Sequence, residues 1–240
     1  MFHVKQFCFI KNIVVEKLLI ITGATSGIGL ACIKEFITIP DINILAIGRD
    51  FTKFNLDDAR IYPRGCDVTD FIKLQLLLND YFANYLVVGL VNAAGVVGIG
   101  ELDLSTHQSN QDMLNVNIAG LTNCIEIVLP QMRKQQLGTI INLSSLADRY
   151  PRPNNAVHAA TKAYVKSLSD SLRMQNAPYN IRVVNVAPAL VETPMVVDGL
   201  GIKDGLIKVA DFAKIIKFIF EQPQELCIRD IVVAPTNYIG

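Results

Sequence analysis

Short apolar runs rich in β-branched residues alternate with longer stretches of amphipathic spacing from one end of the chain to the other. This is the pattern of successive βαβ units building a parallel sheet. Strands are predicted at Leu18–Thr22, Asn43–Ile47, Ile61–Pro63, Leu86–Val91, Thr139–Leu143, Arg182–Val186 and Asp230–Ala234. Runs such as Leu18-Leu-Ile-Ile21 are continuous rather than alternating, as expected of strands covered on both faces. The longest helical stretches are Asn110–Gln135 and Asn154–Met174. Pro130 lies late in the first, so a kink or break is expected near Val128. Residues 188–208, with two prolines and three glycines, read as an irregular loop after a late strand. In a parallel sheet that is the ligand-binding edge, so the loop is expected to be a substrate lid.

A chain of 240 residues with no repeat or linker is expected to form one domain over residues 17–240, after an N-terminal extension at 1–16. Hydrophobic residues make up 51% and charged residues 18%, which excludes a disordered chain. The formal net charge is zero and no Lys/Arg block is present, so neither nucleic acid nor an anionic membrane is expected as a partner; a small molecule is. Five scattered cysteines contain no CxxC pair and suit neither a metal site nor a disulfide framework, but rather the reduced thiols of a cytoplasmic protein. Two apolar windows, residues 1–16 and 81–100, are each interrupted by polar residues or glycines and read better as soluble segments.

The stretch Thr22-Gly23-Ala24-Thr25-Ser26-Gly27-Ile28-Gly29 follows the first strand and opens a helix. Its glycines permit a tight turn and close backbone approach, and a helix start offers free N–H groups and a positive dipole end to a pyrophosphate. Downstream come Asn92-Ala93-Ala94-Gly95, Asn117 in NVNIAG, Asn142-Leu-Ser-Ser145 closing a strand, and Pro188-Ala-Leu-Val191-Glu-Thr193-Pro-Met195. In spacing and order these motifs resemble those of the short-chain dehydrogenase/reductase family over nearly the whole chain.

The resemblance implies a Rossmann-type, doubly wound α/β fold with a parallel sheet of about seven strands and helices on both faces. It also implies a nicotinamide dinucleotide held by Gly23, Thr25, Ser26, Gly27, Ile28 and Gly29. Asp67 and Val68 would flank the adenine, and Asn92, Ala93 and Ala94 would lie beside the cofactor. Pro188, Val191 and Thr193 would cover the nicotinamide, and Lys162 would also contact the cofactor. By the same analogy the chain is a homodimer or homotetramer. At the end of the second strand, Arg49 falls where a guanidinium would pair with a 2′-phosphate, so NADP is expected over NAD; Asp50 is less well placed to take a ribose hydroxyl.

The catalytic groups implied are Asn117, Ser145, Lys162 and a tyrosine four residues before the lysine. That position is His158. The frame around it is kept, because Ser145 lies thirteen residues before His158 and the i, i+4 spacing puts His158 and Lys162 on one helix face. The lysine charge disfavours imidazolium, so a neutral ring is expected, usable as a base and poor as an acid. Three readings stay open: an NAD(P)-dependent oxidoreductase acting on a carbonyl or alcohol of a small, fairly apolar substrate; a cofactor-binding scaffold or sensor that no longer reduces anything; and a redox-neutral lyase or isomerase using His158 as base. Tyr164 lies off the His158 face and Tyr150 reads as an exposed loop residue, so neither replaces the missing phenol. His3 and His107 read as surface residues.

Overall fold

The computed structural model describes residues 15–238. Seven parallel strands form one sheet in the order β3-β2-β1-β4-β5-β6-β7. They are β1 (Glu16–Thr22), β2 (Ile42–Gly48), β3 (Ile61–Gly65), β4 (Tyr85–Asn92), β5 (Gly138–Leu143), β6 (Ile181–Pro188) and β7 (Asp230–Val233). All seven lie where the apolar runs predict them. The expected extension at 1–16 lies outside the described residues except for its last two, and Glu16 already belongs to β1.

Alternate residues of the strands feed two separate cores. Leu18 and Ile20 of β1, with Leu45 and Ile47 of β2, join a cluster beneath α2 (Phe71–Phe82), α4 (Leu121–Gln135) and α5 (Ala156–Asn176). Leu19 and Ile21, with Ile44 and Ala46, pack on the opposite face against α1 (Gly27–Phe36) and α7 (Val209–Glu221). Two-sided burial is why these strands show no polar alternation.

The helix predicted over Asn110–Gln135 runs continuously from His107 to Gln135, as α3 (His107–Leu114), a π-helical turn at Asn115–Gly120 and α4. Pro130 does not break it: the proline sits on an exposed position and helical bonding continues to Gln135, contrary to the expectation of an interruption near Val128. The irregularity lies one helix earlier, in the π turn, where a residue is squeezed into the helix at Asn117. By length and composition this helix could cross a membrane; half of its apolar window is buried inside the protein. The loop 188–208 is partly ordered by α6 (Pro194–Val197) and by a parallel bridge between Val191 and Ile207.

The strand order reverses between β1 and β4, which opens a crevice at their carboxyl ends. Phe36, fully buried at the other end of α1, packs edge-on to Phe220 of α7 at 5.2 Å and so fixes the helix whose first turn borders that crevice. Phe36→Ala is expected to cost about 3–5 kcal/mol, read as a lower urea midpoint at unchanged slope.

Candidate active site

Three glycines make the turn after β1. Gly23 has φ +64°, and a Cβ there would come within 2.7 Å of the Ala93 carbonyl and the Ala94 N–H. Gly27 has φ +52°, where a Cβ would press on the Thr193 side chain at 3.2 Å. A Cβ on Gly29 would overlap the Gly23 carbonyl. The Thr22 hydroxyl accepts from the Ala94 N–H at 3.2 Å, locking the ends of β1 and β4 together. Ser26 caps α1 with extended backbone, yet its side chain makes no capping hydrogen bond, so the first N–H groups of α1 are left to whatever enters the cleft.

That cleft has a volume of about 260 Å³. The turn residues Gly23, Thr25, Ser26, Gly27 and Ile28 form one wall, and Ala93, Ala94 and Thr193 form another. Arg49, Asp67 and Val68 close its outer end. Asp50 does not line it; its carboxylate is turned back to accept from the Thr52 N–H at 2.8 Å. Asp67 accepts from the Thr69 N–H at 2.9 Å and hydroxyl at 2.8 Å. Burial pushes its carboxyl up, but those bonds and the Arg49 charge bring it below its ordinary value. Glycine-enforced backbone approach, unclaimed helix N–H groups and a cation at the far end fit a dinucleotide whose pyrophosphate rests on α1.

A second cavity of about 150 Å³ adjoins the cleft, with Ile28, Ala93, Ala94 and Thr193 shared between them. Ser145 faces it from just beyond β5 and His158 and Lys162 from α5, while Pro188 at the end of β6 and Leu190, Val191, Met195 and Val196 of the following loop cover it. Val96 and Val97 also line it. Lys162 Nζ donates to the Leu143 carbonyl at 2.9 Å. Burial drives its pKa down to about 8, against the opposing pull of Asp148. Gly95 lies opposite, where a Cβ would stand 3.8 Å from that ammonium.

His158 is neutral, its pKa lowered to about 4 by burial first and by the Lys162 charge second. Its Nδ1 is buried with no hydrogen-bond partner. A buried N–H without an acceptor is rarer than a bare lone pair, so the proton belongs on Nε2 and the neutral ring acts as a donor from that atom.

Two of the expected site residues act from behind the cavities. Asn117, in the π turn, accepts from the Val96 N–H and donates to the Val96 carbonyl, each at 2.9 Å, and donates to the Thr161 hydroxyl at 3.2 Å. Thr161 was not singled out by sequence, since nothing about a threonine beside Lys162 signals its partner. Asn92 donates to Asn142 at 2.9 Å, which in turn donates to Ser169 at 2.9 Å, tying β4 and β5 to α5. Tyr164 is part of the core and bonded to Thr122 at 2.9 Å, while Tyr150 and His107 are exposed. Among the described residues no cluster of His, Cys, Asp and Glu could hold a metal ion.

The parallel sheet, glycine turn and adjoining Ser–His–Lys cavity define a dinucleotide-binding α/β protein. Residues 17–199 match the short chain dehydrogenase family model. The chain is 32% identical to a probable NADP-dependent dehydrogenase of Haemophilus influenzae over 90% of its own length and 92% of that protein's. It is 33% identical to a 3-oxoacyl-(acyl-carrier-protein) reductase of Thermotoga maritima over 75% and 76%, respectively. Its fold superposes on the serine dehydrogenase of Escherichia coli with a TM-score of 0.82 at 25% identity, covering 93% of this chain and all of that one. The chain belongs to the short-chain dehydrogenase family of oxidoreductases.

Burying His158 as a neutral ring couples stability to pH. The unfolded chain takes up this proton near 6.5 while the folded chain resists until about pH 4, so the unfolded state binds more protons in between and stability falls as pH drops through that window. The loss is on the order of 3 kcal/mol. Comparing denaturation midpoints of the wild type and His158→Gln at pH 7 and pH 4.5 should show a smaller loss in the variant.

Proposed function

We propose that this chain is an NADP-dependent oxidoreductase that reduces a carbonyl, or oxidises the corresponding alcohol, of a small and fairly apolar substrate. The observation that carries the reading is the continuity of the two cavities, which puts Ser145, His158 and Lys162 beside the end of a dinucleotide cleft that has Arg49 at its far end. NADP over NAD is supported by Arg49 lining that end while Asp50 is tied into its own turn. It is supported further by the name of the Haemophilus relative and by the NADP bound to the similar structure of ElxO, which is 25% identical with a TM-score of 0.81.

When bound, the nicotinamide supplies or accepts a hydride. The chain's own residues handle the oxygen and the proton. The Ser145 hydroxyl and the His158 Nε2–H polarise the substrate oxygen from the α5 side. Lys162, mostly an ammonium at pH 7, is the nearby group with a proton to give, directly or through water. Asn117 holds Val96, and with it the wall facing Lys162. The covering residues of the loop after β6 are apolar, which favours a substrate without a second charge. We further place the protein in the cytoplasm as a homodimer or homotetramer, on the grounds of its cysteine usage and of family habit.

Two outcomes test the assignment. Arg49→Asp should weaken NADPH relative to NADH by about 1.5–3 kcal/mol before solvent screening, measured by fluorescence titration; an unchanged ratio removes the 2′-phosphate role. His158→Tyr should raise ketone or aldehyde reductase turnover by about 10²- to 10⁴-fold at little change in nucleotide affinity, because a positioned phenol restores the stronger acid. His158→Ala separates the remaining readings. It should abolish residual reduction; loss of nothing supports a scaffold, and loss of a redox-neutral reaction by an otherwise inert wild type supports a lyase or isomerase.

A further inference from the structure

Directly after Ser145 the chain makes a 3-10 turn, Leu146–Asp148, that ends in a carboxylate with no solvent exposure. Asp148 Oδ2 accepts from the Ser144 hydroxyl at 2.7 Å and from Asn185 Nδ2 of β6 at 3.1 Å, and Oδ1 accepts from Arg149 Nε at 2.6 Å. Its backbone N–H donates to the Ser145 carbonyl at 2.9 Å. Arg149 reaches on to Asp230, the first residue of β7, at 2.9 Å, and Asn185 donates to the same carboxylate at 2.9 Å. Asp148 therefore holds Ser144 through its carboxylate and Ser145 through its backbone N–H, and is fastened to β6 by Asn185 and to β7 through Arg149. Lys162 grips the same segment from the other side through the Leu143 carbonyl.

The charges in this cluster are also balanced. Asp148 and Asp230 are two carboxylates bridged by one guanidinium, Arg149, which leaves one negative charge over. Lys162 is the buried cation whose charge is favoured by Asp148. Among the other groups facing it, His158 on its own helix is neutral. β5 and the π turn contribute no titratable side chain. His107 and Asp112 of α3 are exposed, and Lys166 is paired with Asp170.

We propose that Asp148 is a positioning residue of this site: its buried carboxylate fixes the turn that presents Ser145 to the cavity and is the counter-charge to Lys162, which grips the same segment through the Leu143 carbonyl. The proposal rests on the reading of Ser145 and Lys162 as the working groups, and its test is independent of turnover. The Lys162 side chain is titrated in the nucleotide-free protein by NMR of ¹³C-labelled lysine, with its signal assigned by its loss in Lys162→Met.

The wild-type midpoint is expected near 8. Asp148→Asn should lower it by about one pH unit or more, whereas Ser144→Ala, which removes a hydrogen bond and no charge, should leave it in place. Arg149→Gln removes the competing cation and should raise it. A midpoint that Asp148→Asn leaves unchanged overturns the proposal, as does one that Arg149→Gln leaves unchanged or lowers. If Asp148→Asn does not fold, Arg149→Gln decides alone. A chain that shows these shifts and yet reduces no carbonyl would retain the Asp148–Lys162 coupling and lose the oxidoreductase reading instead.

Discussion

The site depends on how closely two backbones approach at the carboxyl end of the sheet. β1 and β4 run side by side, and beyond their last residues Gly23 lies against Ala93 and Ala94 with no room for a Cβ. Gly29 meets Gly23 in the same way from the first turn of α1. These contacts hold the start of α1 over the crevice where the strand order reverses, so its N–H groups face outward into the cleft rather than into a packed turn. The sheet is buried on both sides, so ligand chemistry falls at a strand end, here the one where the strand order reverses.

At that edge the protein buries an ammonium and an imidazole on one helix face. Each loses hydration when charged, and each repels the other's charge. The histidine yields: it stays neutral, while Lys162 keeps its proton near neutral pH with help from Asp148. A phenol in place of His158 would have been activated by the same ammonium, because a positive neighbour favours an anion as much as it opposes a cation. The electrostatic frame thus survives the substitution, and the consequence falls on the proton donor alone. A neutral Nε2–H still donates a hydrogen bond to a carbonyl oxygen but gives up its proton far less readily.

Much of this was legible in the sequence because it is local. Continuous apolar runs marked all seven strands, and the glycine spacing marked the turn, since both follow from backbone and burial requirements within a few residues. The site residues carried over by motif also came together, with Asn92 and Asn117 acting through Asn142 and Val96 instead of facing a cavity. What escaped was non-local or compensated. Pro130 was expected to kink or break its helix, yet at an exposed position it leaves the helix unbroken, and an unforeseen irregularity is the π turn that brings Asn117 to Val96. Asp148 and Arg149 were not singled out, because their partners Asn185 and Asp230 lie far away in sequence.

The central claim is that the cleft holds a 2′-phosphorylated nicotinamide dinucleotide beside a working reductive site. The most direct measurement titrates NADPH and NADH against the purified wild-type chain, then follows oxidation of whichever binds across a panel of uncharged ketones and aldehydes. NADPH is expected to bind more tightly than NADH, with slow, measurable turnover of at least one apolar carbonyl compound. Absence of binding by either nucleotide would contradict it.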